Sequence, residues 1–133
     1  MIRSLAIAFL LAFTAAAAHG QAIDQGRLAE ALAQKETGGI WDGRPGPAGE
    51  LSRYQITERV WRQHSAEPFA QARVEAKARA VALAHLDWLA VQIRASGQAV
   101  TVERLATCWH FGWTHARRRS VWGTEVENLY GAP

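Results

Sequence analysis

The sequence predicts a small, mainly α-helical domain with at most a short strand or hairpin. Apolar residues recur at three- and four-residue spacing in several segments, which is the period of a helix. Glycine, proline and threonine lie at the ends of these segments, where helices start and stop. The alternation expected of a strand occurs only in the short segment 50–56.

The first twenty residues are predicted to be a secretory signal peptide. Arg3 supplies a positive start, residues 5–18 are apolar and rich in alanine, and small residues follow, which places cleavage near Gly20 or Ala22. A short membrane anchor is the alternative, but the apolar run is shorter than the ~20 residues that a bilayer span requires. We therefore expect an exported protein, periplasmic or secreted, without a stable membrane anchor after cleavage.

Residues 21–133 are enough for one domain with one modest core. The chain has 15 Lys and Arg against 12 Asp and Glu, a net charge of +3 that falls to about +2 when Arg3 leaves with the signal. This weak positive charge suits an anionic polymer but does not indicate nucleic acid. The basic run 117–119 is interpreted as a solvated loop, and we expect a monomer.

The single cysteine, Cys108, excludes an internal disulfide, so packing has to stabilise the domain. Cys108 lies in an apolar helical stretch, which predicts a buried, unreactive thiol. His85 lies on an apolar stripe and is interpreted as a core histidine. His64 and His115 have no ligand-like partners at metal spacing, so we predict neither a metal ion nor another cofactor.

The helices can be placed in order along the chain. The first runs from Asp24 to about Lys35 and stops at the glycine pair 38–39. The segment 40–49 has five glycine and proline residues and must be a loop. Thr57 can cap a short second helix.

The longest helix is predicted to begin after Pro68 and to run to about Ser96. Thr101 can cap the next helix, and the Thr-Glu-Val-Glu sequence at 124–127 fits a capping box that would open the last one. Each of the two longer helices carries a predicted buried stripe. The stripes are Val74, Ala78, Val81, Ala82, His85, Leu89 and Ile93 in the first, and Val102, Leu105, Ala106, Trp109 and Trp113 in the second.

Glu36 is the candidate catalytic residue. It closes the apolar run that begins with Leu28 and Leu32, so its carboxyl group faces the core side of the helix. Desolvation there raises the pKa toward the range that a general acid needs.

The chain contains six tryptophans, which are many for a domain of this size. Aromatic side chains at helical spacing usually belong to the core, and Trp61, Trp88 and Trp109 are mainly assigned there. Trp41 lies in the glycine-rich loop close to Glu36 in sequence. It is the better candidate for an exposed platform that stacks against a sugar ring.

Four sequence blocks carry a family resemblance. Residues 36–38 are Glu-Thr-Gly; residues 46–56 are Gly-Pro-Ala-Gly-Glu-Leu-Ser-Arg-Tyr-Gln-Ile; residues 105–112 are Leu-Ala-Thr-Cys-Trp-His-Phe-Gly; and residues 126–130 are Val-Glu-Asn-Leu-Tyr. In the same order, they resemble Glu-Ser-Gly, Ser-Pro-Ala-Gly-Ala-x-Gly-Leu-Met-Gln-Ile, Leu-Ala-x-Ala-Tyr-Asn-Ala-Gly and Val-x-x-x-Tyr of soluble lytic transglycosylases, relatives of goose-type lysozyme. Together the blocks span nearly all of residues 21–133.

The resemblance implies a small lysozyme-like domain with a cleft between two lobes. Its substrate would be the β-1,4 bond between N-acetylmuramic acid and N-acetylglucosamine in the glycan strands of peptidoglycan. Glu36 would be the single catalytic glutamate, protonating the glycosidic oxygen and then acting as a base. A lytic transglycosylase would use the muramyl 6-hydroxyl as acceptor and a muramidase would use water; the sequence leaves both open.

The resemblance also assigns substrate-binding residues. Ser52 and Gln55 would line the cleft by hydrogen bonding, and Tyr130 would reach the acid and orient it. The further candidates for contact with the glycan are Trp41, Tyr54, Trp109 and His110.

Four departures from the family pattern concern the proposed site. Trp109 and His110 replace a Tyr-Asn pair, and Tyr54 replaces a methionine. Glu50 replaces a small residue; it is either a second carboxylate for a hydrolase or, as we favour here, a solvated loop charge. Because of the Trp-His replacement, a catalytically inactive carbohydrate-binding domain of the same fold is the alternative function.

Overall fold

The structure, a computed structural model, describes residues 21–133, so the predicted signal peptide lies outside the described residues. The described part folds into five α-helices, which confirms the predicted mainly α-helical class. None of them combines the length and hydrophobicity that crossing a bilayer would require. The helices are Gln25–Thr37 (α1), Glu58–His64 (α2), Glu75–Ala95 (α3), Val102–Phe111 (α4) and Val121–Gly131 (α5).

Side-chain caps fix where four of the helices begin. Asp24, Thr57, Thr101 and Ser120 each accept a hydrogen bond from the backbone N–H three residues further on. At the other end of α1, Gly38 adopts a left-handed conformation with φ of 66°. Its N–H is donated to the carbonyl groups of the last turn, so α1 stops directly after the segment that carries Glu36.

Two predicted boundaries, at the start of α3 and at the end of α4, are wrong. Pro68 is followed by a 3-10 turn, Phe69–Arg73, and α3 begins only at Glu75, which leaves Val74 outside the core and 44% exposed. The 3-10 turn forms because the N–H groups there bond three residues back rather than four. α4 ends at Phe111, since Gly112 leaves the helical conformation at φ 96°, and Trp113 is therefore exposed.

The predicted start of the last helix is also wrong. Ser120, not Thr124, is the cap of α5, and the Thr124 hydroxyl donates to the Ser120 carbonyl from within the helix. Gly123 explains the earlier start, because it lies in the first turn against α4. A Cβ at this position would lie 2.6 Å from the Glu103 carbonyl oxygen, so only glycine allows the two helices to approach this closely.

The core lies where α1, α3, α4 and α5 pack together. Trp61 of α2 is fully buried, as predicted. Cys108 is buried too, and burial raises the pKa of its thiol to about 11, as expected for an unreactive cysteine. The basic run 117–119 is exposed, in agreement with a solvated loop.

Candidate active site

Glu36 lies in the last turn of α1, with its side chain 17% exposed. Burial is the main cause that raises the pKa of its carboxyl group to about 7, and the negative charge of Glu50 adds to it. The indole N–H of Trp109 and the charge of Lys35 act in the opposite direction. A large fraction of Glu36 is therefore protonated near neutral pH, which is the state of a general acid.

His110 of α4 lies beside this carboxyl group, with its Nδ1 3.8 Å from Glu36 Oε1. Burial, and then the charge of Lys35, lower the pKa of the imidazole, which favours its neutral form. The ring is held by stacking on Trp122, with centroids 4.5 Å apart and planes at 15°.

Trp109 is held by a histidine pair that the sequence did not predict. His85 meets its ring edge-on at 5.5 Å and stacks on Trp88. The Nδ1 atom of His85 is 3.0 Å from Nε2 of His64, so one ring donates to the other. His85 is 7% exposed and hydrogen-bonded, which confirms its interpretation as a core histidine. His64 and His85 are 21 residues apart, and this spacing does not indicate in the sequence that the two rings meet.

Residues next to Glu36 line two depressions, although Glu36 itself lines neither. Trp109 and His110 line the first, which has a volume of about 280 Å³. Thr37, the residue after Glu36, lines the second, of about 340 Å³. Other residues of the first depression include Arg59, Gln63, Trp88 and Trp113, and the second also contains Trp41, Asp42 and Gln55. The neighbours of Glu36 thus belong to two surfaces with aromatic and polar linings.

Trp41 lies on the second depression, as a sugar platform would require, but one face of its ring is occupied. The guanidinium group of Arg73 lies 5.3 Å from the ring centroid. The indole N–H donates to the Arg44 carbonyl at 2.7 Å. One face of the indole is therefore not available for stacking, and the ring also packs against the core.

The segment 50–56 forms a tight turn closed by an antiparallel bridge between Leu51 and Ile56. Ser52 and Gln55 adopt positive φ angles of 71° and 52°, a conformation that is unfavourable for residues other than glycine. The Thr37 hydroxyl donates to the Arg53 carbonyl at 3.0 Å, which ties this turn to the end of α1. Strained backbone next to a protonated carboxyl group is characteristic of a functional site.

Glu50 is a partly exposed loop charge, and the loop backbone holds its carboxylate. Its side chain is half-buried, and its Oε2 accepts a hydrogen bond of 2.8 Å from the Ala48 N–H. Gly46 makes room for it: a Cβ there would lie 2.5 Å from Glu50 Oε2 and would also overlap with Gln55 Oε1. The loop backbone therefore fixes the direction of this carboxylate.

If Glu36 acts as a general acid on cell walls, Gly46→Ala should lower the rate of wall clearing by about tenfold or more, while the free energy of unfolding changes by less than about 1 kcal/mol. The added Cβ would displace two flexible side chains, those of Glu50 and Gln55, rather than backbone. Urea denaturation and wall-clearing rates measure the two quantities. Gly43→Ala is a control for loop substitution, because a Cβ at Gly43 meets nothing within 4 Å, although its φ of 86° carries its own strain. Equal turnover in Gly46→Ala and wild type would contradict the prediction.

Two of the predicted substrate-binding residues lie in the protein interior. Tyr54 is completely buried, and its hydroxyl donates to Glu75 at 2.9 Å. Burial is the main cause that raises the pKa of this hydroxyl to about 12. Ser52 is 2% exposed, and its hydroxyl oxygen accepts from the Tyr54 N–H. Both side chains stabilise the turn instead of contacting a ligand, which corrects the assignment from the sequence.

Tyr130 does not reach the acid. Its hydroxyl accepts a hydrogen bond from the Asp24 N–H at 3.0 Å, and Arg27 lies over its ring. Asp24 precedes α1, so it is separated from Glu36 by about 18 Å along the helix. The reason is that α5 runs antiparallel to α1, with Glu125 paired to Lys35 near the end of α1 and Tyr130 near its beginning.

Comparison of the chain with known protein families, with characterised proteins and with solved structures finds no match. Within residues 21–133, no group of three or more His, Cys, Asp or Glu side chains is placed to hold a metal ion.

Proposed function

We propose that this protein is an exported enzyme that cleaves the β-1,4 bond between N-acetylmuramic acid and N-acetylglucosamine in peptidoglycan, with Glu36 as the general acid. The observation that carries the proposal is the state of Glu36. Its carboxyl group is largely buried and has a pKa raised to about 7, and Thr37 and His110 beside it line two separate depressions. A glycan strand bound along these depressions would bring one glycosidic oxygen close to the acid.

The surrounding residues support both halves of the reaction. Protonated Glu36 would donate its proton to the glycosidic oxygen as the bond from C1 to that oxygen breaks. Trp109 acts to lower the pKa of Glu36, which favours the carboxylate that remains after proton transfer. Neutral His110 would offer the substrate one donor and one acceptor nitrogen.

The backbone of the turn supports the match to the transglycosylase motif. Ser52, at φ 71°, falls at the position where that motif has glycine, the residue that adopts this conformation without strain. Gln55 falls on the glutamine of the motif and lies with Thr37 on the depression beside Glu36. A turn of the same backbone shape would thus stand next to the acid in both.

The proposal is tested by the clearing of purified cell walls. Glu36→Gln should lower the rate by about 10³-fold, because the amide cannot donate the proton and general acid catalysis contributes about 10²–10⁴-fold. Glu127→Gln is the matched control, an exposed glutamate of α5. Circular dichroism of the three proteins establishes that all of them are folded.

A carbohydrate-binding domain without turnover is the second candidate, and the position of Tyr130 favours it. The phenol that the resemblance placed on the acid instead bonds to Asp24 at the other end of α1. If the wild type clears walls no faster than Glu36→Gln while both sediment with the walls, the binding domain is the function. If neither protein sediments with walls, both candidates are excluded.

A further inference from the structure

The first depression, which Trp109 and His110 line, has an aromatic lining with a single charged side chain. Phe111 and Trp113 also line it, and they are 48% and 43% exposed although both are large and apolar. Arg59 is the only Lys, Arg, Asp or Glu residue among the lining residues. A concave surface of this composition suits a ligand that combines an apolar face with a negative charge.

The guanidinium group of Arg59 is available to such a ligand. Arg59 is an exposed residue of α2, and within residues 21–133 no carboxylate forms a salt bridge with it. Arg62 of the same helix is instead paired with Glu58 at 2.6 Å. Gln63 lies one turn after Arg59 on the same face of α2 and lines the depression too. Arg59 can therefore bind a carboxylate through two parallel N–H donors, with an amide close by.

The same depression extends to a side chain that reaches the candidate acid. His110 lines it, and the Nδ1 atom of His110 is 3.8 Å from Glu36 Oε1. The volume of about 280 Å³ is near the lower end of small-molecule sites, about 300 Å³, which suits one sugar unit with its substituent. A sugar held here would thus lie against a neighbour of Glu36.

We propose that the first depression binds a muramyl unit of the glycan and that Arg59 pairs with the carboxylate on the side arm of this sugar. The inference rests on the proposed function and adds a residue that determines specificity. The lactyl arm of N-acetylmuramic acid ends in a carboxylate, or in a peptide that carries carboxylates of its own. N-acetylglucosamine has no such arm, so Arg59 distinguishes a muramyl glycan from a neutral polymer of N-acetylglucosamine.

Binding of soluble oligosaccharides tests the pairing without depending on cleavage. The probes are chitotetraose and the tetrasaccharide of alternating N-acetylglucosamine and N-acetylmuramic acid, with and without peptides, titrated against Glu36→Gln so that they stay intact. At low ionic strength, a muramyl tetrasaccharide should bind about tenfold more tightly than chitotetraose, as expected for charge-assisted hydrogen bonds, and added salt should reduce this preference. Adding Arg59→Gln should remove the preference and leave chitotetraose binding unchanged. Arg62→Gln is the matched control, since Arg62 does not line the depression.

The two forms of the muramyl probe identify the carboxylate. Loss of affinity in Arg59→Gln for the peptide-free tetrasaccharide assigns the pairing to the lactyl carboxylate, and loss only for the peptide-bearing form assigns it to the peptide. Equal binding of chitotetraose and both muramyl probes, or a preference that persists in Arg59→Gln, would overturn the inference. Wall clearing by the wild type would then still support the proposed cleavage. A muramyl preference that depends on Arg59, in a protein that clears no walls, would reject the cleavage and retain this binding site.

Discussion

Glu36→Gln should be more stable than the wild type at pH 8 and equally stable at pH 4. Burial raises the pKa of Glu36 in the folded protein to about 7, against an ordinary value of 4.5. Below pH 4.5 the carboxyl group is protonated in both the folded and the unfolded chain, so it does not lower the free energy of unfolding. Between about pH 4.5 and 7 the unfolded chain releases the proton while the folded protein keeps it, so the free energy of unfolding falls as pH rises.

The size of the effect follows from the shift. Each pKa unit corresponds to about 1.4 kcal/mol, and after allowance for solvent screening of the partly exposed carboxyl group we expect about 1–2 kcal/mol at pH 8. Glutamine has the same shape and stays neutral, so it avoids this cost at every pH. The gain in stability would accompany the loss of activity, as expected for a residue placed for function.

Urea denaturation of both proteins at pH 4, 6 and 8 measures the difference, with tryptophan fluorescence as the signal. Glu127→Gln, which changes an exposed glutamate, should follow the wild type at each pH. A difference between Glu36→Gln and wild type that does not vary with pH would show that the carboxyl group keeps its ordinary pKa on folding. The general-acid role would then lose its main support.

A large effect on stability is also expected from substitution of Tyr54, whose completely buried side chain packs in the core. Tyr54→Ala should lower the free energy of unfolding by about 3–5 kcal/mol, since it removes a large buried ring and leaves a cavity. Tyr54→Phe should lower the free energy of unfolding by only about 1 kcal/mol, because it removes just the hydrogen bond to Glu75. Because the hydroxyl faces Glu75 and Arg53, Tyr54→Phe should bind cell walls as the wild type does.

Denaturant titration and sedimentation with walls measure stability and binding separately. Tyr130→Phe is the control for loss of a tyrosine hydroxyl, because that hydroxyl makes only an exposed hydrogen bond to Asp24. Loss of wall binding in Tyr54→Phe, with stability unchanged, would mean that this hydroxyl contacts the glycan. The assignment of Tyr54 to the core would then be wrong.

The local part of the fold could be predicted from the sequence because its causes are local. The caps Thr57 and Thr101 act through the N–H three residues further on, and the glycine pair after α1 stops that helix within one turn. Glu36 could be singled out for the same reason, since helical spacing alone carries its carboxyl group to the buried side. Ser120 was missed as a cap because Thr124 offered an equally good local pattern.

Contacts between distant segments needed the tertiary structure. The antiparallel packing of α5 on α1 takes Tyr130 to the wrong end of α1 for contact with Glu36, and helix direction leaves no trace in local spacing. The His64–His85 pair depends on the packing of α2 on α3. The sequence by itself determined a helical domain with a carboxyl group at the end of its first helix. Only the tertiary structure decided which groups surround this carboxyl group. Burial and charge at Glu36 arise from α4, which is remote in sequence, and from the 46–56 loop, which folds back on the end of α1.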